Sequence, residues 1–169
     1  MGNIPEGNIQ IIAYDQAGNS TATNFVVDHT PPLSAVLNPK DSSSMPATAI
    51  PGFVISGTAE DPVSGGVASG IDHVNLYFQG PQGYWTGSSW GSRTALVATL
   101  VASSSGGNAW SYTLTNIGRP PGGTYSFTSE AVDKAGNVAG NARVDPSPLW
   151  GEGEDEGTML FTGRDRVRI

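Results

Sequence analysis

The pattern Asp-x-Ala-Gly-Asn occurs twice, at residues 15–19 and 133–137, and alternating apolar and polar residues lead into each copy. Such a segment specifies a tight reversal between antiparallel strands. The Asp carboxylate accepts a backbone N–H two residues on, and Gly18 with Asn19, like Gly136 with Asn137, tolerates the positive φ that the turn demands. Asp15 and Asp133 are 118 positions apart, and the likeness extends past the turn: "GNIQIIAYDQAGNSTATNFVVDHTPP" is matched by "GTYSFTSEAVDKAGNVAGNARVDPSP". In both, a Val-Asp pair leads into prolines, Val27, Asp28, Pro31 and Pro32 in the first and Val144, Asp145, Pro146 and Pro148 in the second. A period of this length is too long for a helical solenoid and fits serial β-sandwich modules of roughly 100 residues. Each copy then reads as the closing hairpin of its own module. The first hairpin carries Ile9, Ile11 and Ile12, which make an uncovered edge an aggregation hazard.

Between the two junctions the chain breaks into short strand candidates. With 23 Gly, 12 Pro and only 14% charged residues it favours turns over helices, and no apolar stripe of helical period appears. "LSAVLNP" comes first and is ended by proline. "GFVISGTAED" places Phe53, Ile55 and Ala59 on one face, and "IDHVNLYFQ" turns Val74, Leu76 and Phe78 inward while His73, Asn75 and Tyr77 face out. "TALVATLVA" is nearly all apolar, so alternation cannot assign its faces. "AWSYTLTN" buries Trp110, Tyr112 and Leu114, "GTYSFTSEAVD" buries Tyr125, Phe127 and Ala131, and "NVAGNARVD" closes the series. Short strands separated by turn clusters predict two antiparallel sheets packed face to face.

"VDHTPP", "ISGTAED", "GIDHVNLYF", "WSYTL" and "GTYSFTSEAVDKAGN", taken in order over residues 26–145, resemble the bacterial immunoglobulin-like domains strung in tandem through large surface proteins and adhesins. The resemblance implies an all-β immunoglobulin-like antiparallel β-sandwich of about seven strands, with no enzymatic activity and a structural or adhesive role. It also implies an extracellular or cell-surface location and neighbouring modules of the same polypeptide as partners. The expected division is a terminal hairpin of a truncated preceding module with its junction at 1–30, a complete sandwich at 31–146 and a flexible acidic and arginine-bearing tail at 147–169. Within that tail, 158–163 is a short strand candidate. The stretch from Gly80 to Ser105 is longer than a minimal module requires, and nothing after Pro148 matches the resemblance.

Fifteen acidic residues against 8 basic ones give a net charge of -7, which disfavours nucleic acid and anionic lipid as partners. Cysteine is absent, so disulfides and thiolate zinc sites are excluded. No apolar run of about 18 residues is present to insert in a membrane, and "MGNIPEGNIQ" lacks the basic start and apolar stretch of a signal peptide.

Two groups of residues are candidates for binding. Asp28, Glu60, Asp61, Asp72 and Asp133 can supply oxygen ligands to calcium at a module junction, although no EF-hand spacing occurs, and the bland alternative is a set of solvated and turn-forming acids. In "GPQGYWTGSSWGSRT", Tyr84, Trp85 and Trp90 sit among small residues, where they either dock a polysaccharide or a surface protein or fold back over the apolar run 95–102. No cofactor other than calcium is implied. Catalysis has little to stand on: His29 and His73 form no ligand or nucleophile motif, and Glu60 and Asp61 are neighbours that an extended strand points to opposite faces.

Overall fold

The computed structural model describes residues 4–40, 43–46, 52–102, 107–118, 120–139 and 158–161. The second Val-Asp-Pro junction at 144–148 and most of the tail lie outside the described residues. A hairpin comes first, β1 (Gly7–Tyr14) with β2 (Ser20–Val27), paired from Gly7 opposite Val27 to Tyr14 opposite Ser20. Next come β3 (Leu33–Asn38), β4 (Ser44–Pro46), β5 (Val54–Glu60), β6 (Ile71–Gly80), β7 (Gly83–Trp85), β8 (Trp90–Gly91), β9 (Leu96–Ala102), β10 (Asn108–Thr113), β11 (Gly123–Asp133) and β12 (Thr158–Phe161). No described residue is in a helix, so none offers a helix long and apolar enough to cross a membrane.

One sheet runs β3-β5-β10-β9 and the other runs β9-β6-β11, with all of these pairings antiparallel. The shared strand β9 curls one sheet into the other. Its first half, Leu96 to Ala98, pairs with Leu76 to Val74 of β6, while Thr99 to Ala102 pair with Ser111 to Asn108 of β10. After the turn at 133–137 the chain returns along β11, where Val138 bridges Val132 and the Ala139 N–H donates to the Ala131 carbonyl. This β-sandwich has an extra two-stranded sheet, the β1–β2 hairpin, at one end.

Alternation explains the core. Ile55 and Ala59 of β5, Val74, Leu76 and Phe78 of β6, Trp110 of β10 and Tyr125, Phe127 and Ala131 of β11 are all buried between the sheets. Leu114 joins them just past β10, whereas Tyr112 is only half-buried against the cluster. The ambiguous run resolves with Leu96 and Ala98 inward and Val97 and Val101 exposed. Phe78 and Phe127 stack with ring centroids 4.5 Å apart, as expected of cross-strand partners that face each other in register. Gly57 is required by packing: a Cβ there would sit 1.9 Å from the Ala35 carbonyl oxygen and 2.4 Å from the Trp110 ring.

One placement differs from the expectations above. Tyr77 does sit on the outer side of β6, but it is buried, because the Arg93 guanidinium lies over its ring at 3.6 Å and Glu130 accepts its hydroxyl at 3.2 Å. The short strand candidate at 158–163 is a strand over Thr158–Phe161, which pairs in parallel with Gly123 to Tyr125 of β11 and antiparallel with β4.

Tyr125 ties the start of β11 to the chain just before it, its hydroxyl donating to the Pro121 carbonyl in a tyrosine corner. Because Pro121 is exposed, water can replace the lost donor, so Tyr125→Phe should cost about 1 kcal/mol without altering the fold. Urea denaturation at unchanged m-value checks this, and a loss near zero would remove the corner from the account.

Candidate functional site

The two Asp-x-Ala-Gly-Asn turns are built alike. In the first, the Asp15 N–H donates to the Asn19 carbonyl, the Gly18 N–H to the Asp15 carbonyl, and Asn19 gives its backbone N–H and side-chain amide to the two Asp15 carboxylate oxygens at 2.8 and 2.7 Å. Asp133, Gly136 and Asn137 repeat all four contacts, the last two at 2.8 Å each. Gly18 at φ 87° and Gly136 at φ 91° hold the left-handed conformation that makes glycine necessary there.

What distinguishes the copies is their surroundings. Asp15 is exposed at the hairpin tip, and its hydrogen bonds, led by the Asn19 side chain, hold its carboxyl below the usual value. Asp133 is only 2% exposed and meets two further carboxylates. Asp28, just past β2 and 5% exposed, Asp61, just past β5, and Asp133, the last residue of β11, each bring a carboxylate oxygen to within 4.8 Å of the others. The ends of three strands, one from the hairpin and two from the sandwich, therefore converge on a single point. Asn137 closes it, its side-chain amide donating also to the Asp28 carbonyl oxygen at 3.0 Å.

Main-chain donors hold each acid in place. Asp28 accepts from the Thr30 N–H at 3.0 Å and the Ser69 N–H at 2.8 Å, while Asp61 accepts from the Gly70 N–H. Burial disfavours the charged Asp28, yet the bonds from Ser69 and Thr30 and the nearby His29 outweigh it and hold its carboxyl below the ordinary value. Asp61 goes the other way. Burial first, and then repulsion from Asp28 and Asp133, push its carboxyl above the ordinary value despite the Gly70 N–H. Its second oxygen, Oδ1, is fully buried with no hydrogen-bond partner. Among the described residues no Lys or Arg forms an ion pair with any of the three.

A hard cation suits this donor set. Calcium binds oxygens at about 2.3–2.6 Å, so two oxygens on one ion lie no more than about 5 Å apart, and all three carboxylates fall inside that limit. The orphaned Oδ1, together with the lack of a Lys or Arg ion pair among the described residues, fits a cation as the partner of these acids.

Of the five acids proposed as calcium ligands, the structure gathers Asp28, Asp61 and Asp133 and leaves out two. Glu60 ends β5 exposed, and Asp72 is exposed and paired with His73 at 2.8 Å. Both are one residue away from a buried position, and strand alternation turns them outward. Sequence reasoning missed the neighbouring Glu6. Its carboxylate bonds with Ser64 and accepts from the Thr30 hydroxyl and the His29 N–H, both at 2.8 Å, and these bonds, Ser64's foremost, hold its carboxyl below the ordinary value. No local motif announces Glu6, because its partners lie far away in sequence. The aromatic candidates fold inward. Trp85 is 3% exposed, Trp90 is half-buried against Phe78, Trp85 and Tyr125, and Tyr84 is half-buried in β7 opposite Gly91.

Asp61 sets a pH dependence with a definite sign. A carboxyl raised on folding contributes stability at low pH and loses it as pH rises through the folded value, whereas the lowered Asp28 does the reverse at more acid pH. In chelator, Asp61→Asn should therefore melt above the wild type at pH 7 and converge with it near pH 4. Paired thermal melts across that range check the sign, and a variant less stable at pH 7 would contradict it.

No protein-family model and no curated protein matches the chain, so its functional reading rests on the geometry of this junction.

Proposed function

We propose that the chain is a non-enzymatic structural and adhesive module of a large bacterial surface or secreted protein, in which immunoglobulin-like sandwiches follow one another and calcium clamps the junctions. The observation that carries this reading is the meeting of Asp28, Asp61 and Asp133, which joins the end of the β1–β2 hairpin to the ends of two sandwich strands. Without a cation three carboxylates repel one another at that point. With one, the repulsion becomes a cross-link between the hairpin and the sandwich.

The mechanism is mechanical. Pulled along its axis, a tandem array transmits load through its junctions. Here the load passes through Pro31 and Pro32, whose rings fix φ, and Pro32 is fully buried. Antiparallel ladders and the aromatic core resist extension beyond the junction. Burial of Trp85 favours this role over the alternative, a carbohydrate-binding accessory module using Tyr84, Trp85 and Trp90, since a sugar ring needs an open aromatic face. An extracellular location and neighbouring modules as partners belong to the same proposal, as the resemblance to tandem surface modules implies.

Calcium in roughly hundredfold excess over its dissociation constant contributes about 2.7 kcal/mol to a protein that binds it only when folded. For a domain of this size that is a rise in melting temperature on the order of 10 °C. Thermal melts in excess calcium and in chelator should differ by such an amount in the wild type and scarcely at all in Asp61→Asn, which leaves the Asp133 turn intact. Identical melts of the wild type in the two buffers would overturn the calcium clamp.

A further inference from the structure

The hairpin leaves apolar side chains uncovered. Ile11 is 54% exposed and Phe25 39%, with Ile12, Tyr14 and Val26 also open to solvent. Ile9 stands opposite Phe25 and Ile11 opposite Thr23, so these four share one face of the two-stranded sheet with Ala13 and Thr21.

The same chain shows what covers such a hairpin. An offset of 118 residues places Ile9, Ile11 and Ala13 on Phe127, Ser129 and Ala131, the inward row of β11, and all three of those are buried. The turns that close the two hairpins share their hydrogen bonds. On the edge of β11 away from the turn's return strand, β6 runs antiparallel, with Phe127 opposite Phe78, Ser129 opposite Leu76 and Ala131 opposite Val74. The corresponding edge of β1 pairs with no described strand. Since the Asp15 N–H bonds within the hairpin, the ladder's alternation directs the amides of Asn8, Gln10, Ile12 and Tyr14 to the free edge.

We infer that this edge and face take an antiparallel strand of the β6 type from another sandwich, docked in the register that β6 makes with β11. Ile9 would then lie opposite a large aromatic residue such as Phe78, Ile11 opposite a leucine such as Leu76, and Ala13 opposite a valine such as Val74. Main-chain bonds supply affinity, and the alternating apolar row supplies register. The inference rests on the tandem-array reading, because it identifies the hairpin as the closing pair of strands of a second module.

A synthetic peptide with the sequence of Ile71–Gly80 is the probe, added to the full chain and followed by amide hydrogen exchange. The expected result is about tenfold slower exchange near saturation at Asn8, Gln10, Ile12 and Tyr14, with the β6 and β11 amides unchanged. Ile11→Ser, at an exposed site outside the sandwich, should abolish the effect and leave the melting temperature of the sandwich as it was. Unaltered exchange up to the solubility limit of the peptide overturns the inference. So does protection of the same amides by raised protein concentration alone, which would assign the edge to a second copy. Absence of a calcium effect with this protection intact defeats the junction clamp and spares the strand-docking inference; the opposite pair of results does the reverse.

Discussion

The carboxylates of Asp28, Asp61 and Asp133 stand at the point where β2, β5 and β11 end, without a lysine or arginine partner among the described residues. Two unit charges 4 Å apart repel by about 1 kcal/mol in water and by about 4 kcal/mol at an effective dielectric of 20, so burial makes the crowding matter. Locally the fold offsets it with N–H groups from Thr30, Ser69, Gly70 and Asn137, each aimed at one of the acids. These donors come from three separate segments of chain. The junction is therefore assembled only when the sandwich is folded, and its charge pattern reports on the whole domain rather than on one turn.

Packing at a distance fixes where those strands end. β5 reaches the junction through Gly57, where the backbone of β3 and the Trp110 ring leave no room for a side chain. β11 reaches it through a row of buried residues that ends in Asp133, after an irregularity in its pairing with β6 between Val132 and Asp133. Such an irregularity re-aims a side chain, and here it accompanies an acid at the end of a buried row that is otherwise uncharged. Farther along β6, the stack of Phe78 on Phe127 holds β6 and β11 in register. Past the irregularity the pairing is shifted by one residue, which sets Ile71 opposite Asp133, and β6 starts directly after Gly70, the donor to Asp61.

Much of this was legible in the chain because it depends on local periodicity. Alternation identifies the inward rows of β5, β6, β10 and β11, and the repeated Asp-x-Ala-Gly-Asn specifies two like turns. Alternation failed where its contrast vanished, at 94–102, where nearly every residue is apolar and only the handover of β9 between sheets decides which side faces the core. Tyr77 was misjudged for a different reason. An outward position need not be exposed when a long side chain such as Arg93 covers it. In the junction, sequence supplied the residue types but could not choose among five acids, since that choice depends on which strand ends meet. Glu6 left no trace at all, its partners being 23 to 24 residues away or farther.

Glu6 gives the junction a second attachment that differs in kind from the first. It links the base of β1 to Ser64, Thr30 and His29 by hydrogen bonds that outweigh the repulsion from nearby Asp28. A carboxyl lowered on folding keeps its stabilising contribution above the unfolded value and loses it only as pH falls through the folded one, so this latch persists at neutral pH with or without a cation. The acid triad is the opposite case, unfavourable when bare and stabilising when an ion neutralises it. Geometry and strength are thereby separated. Glu6 and the buried ring of Pro32 tie the hairpin to the sandwich, and under the proposed clamp the charge state of the triad would set how firmly the two hold together.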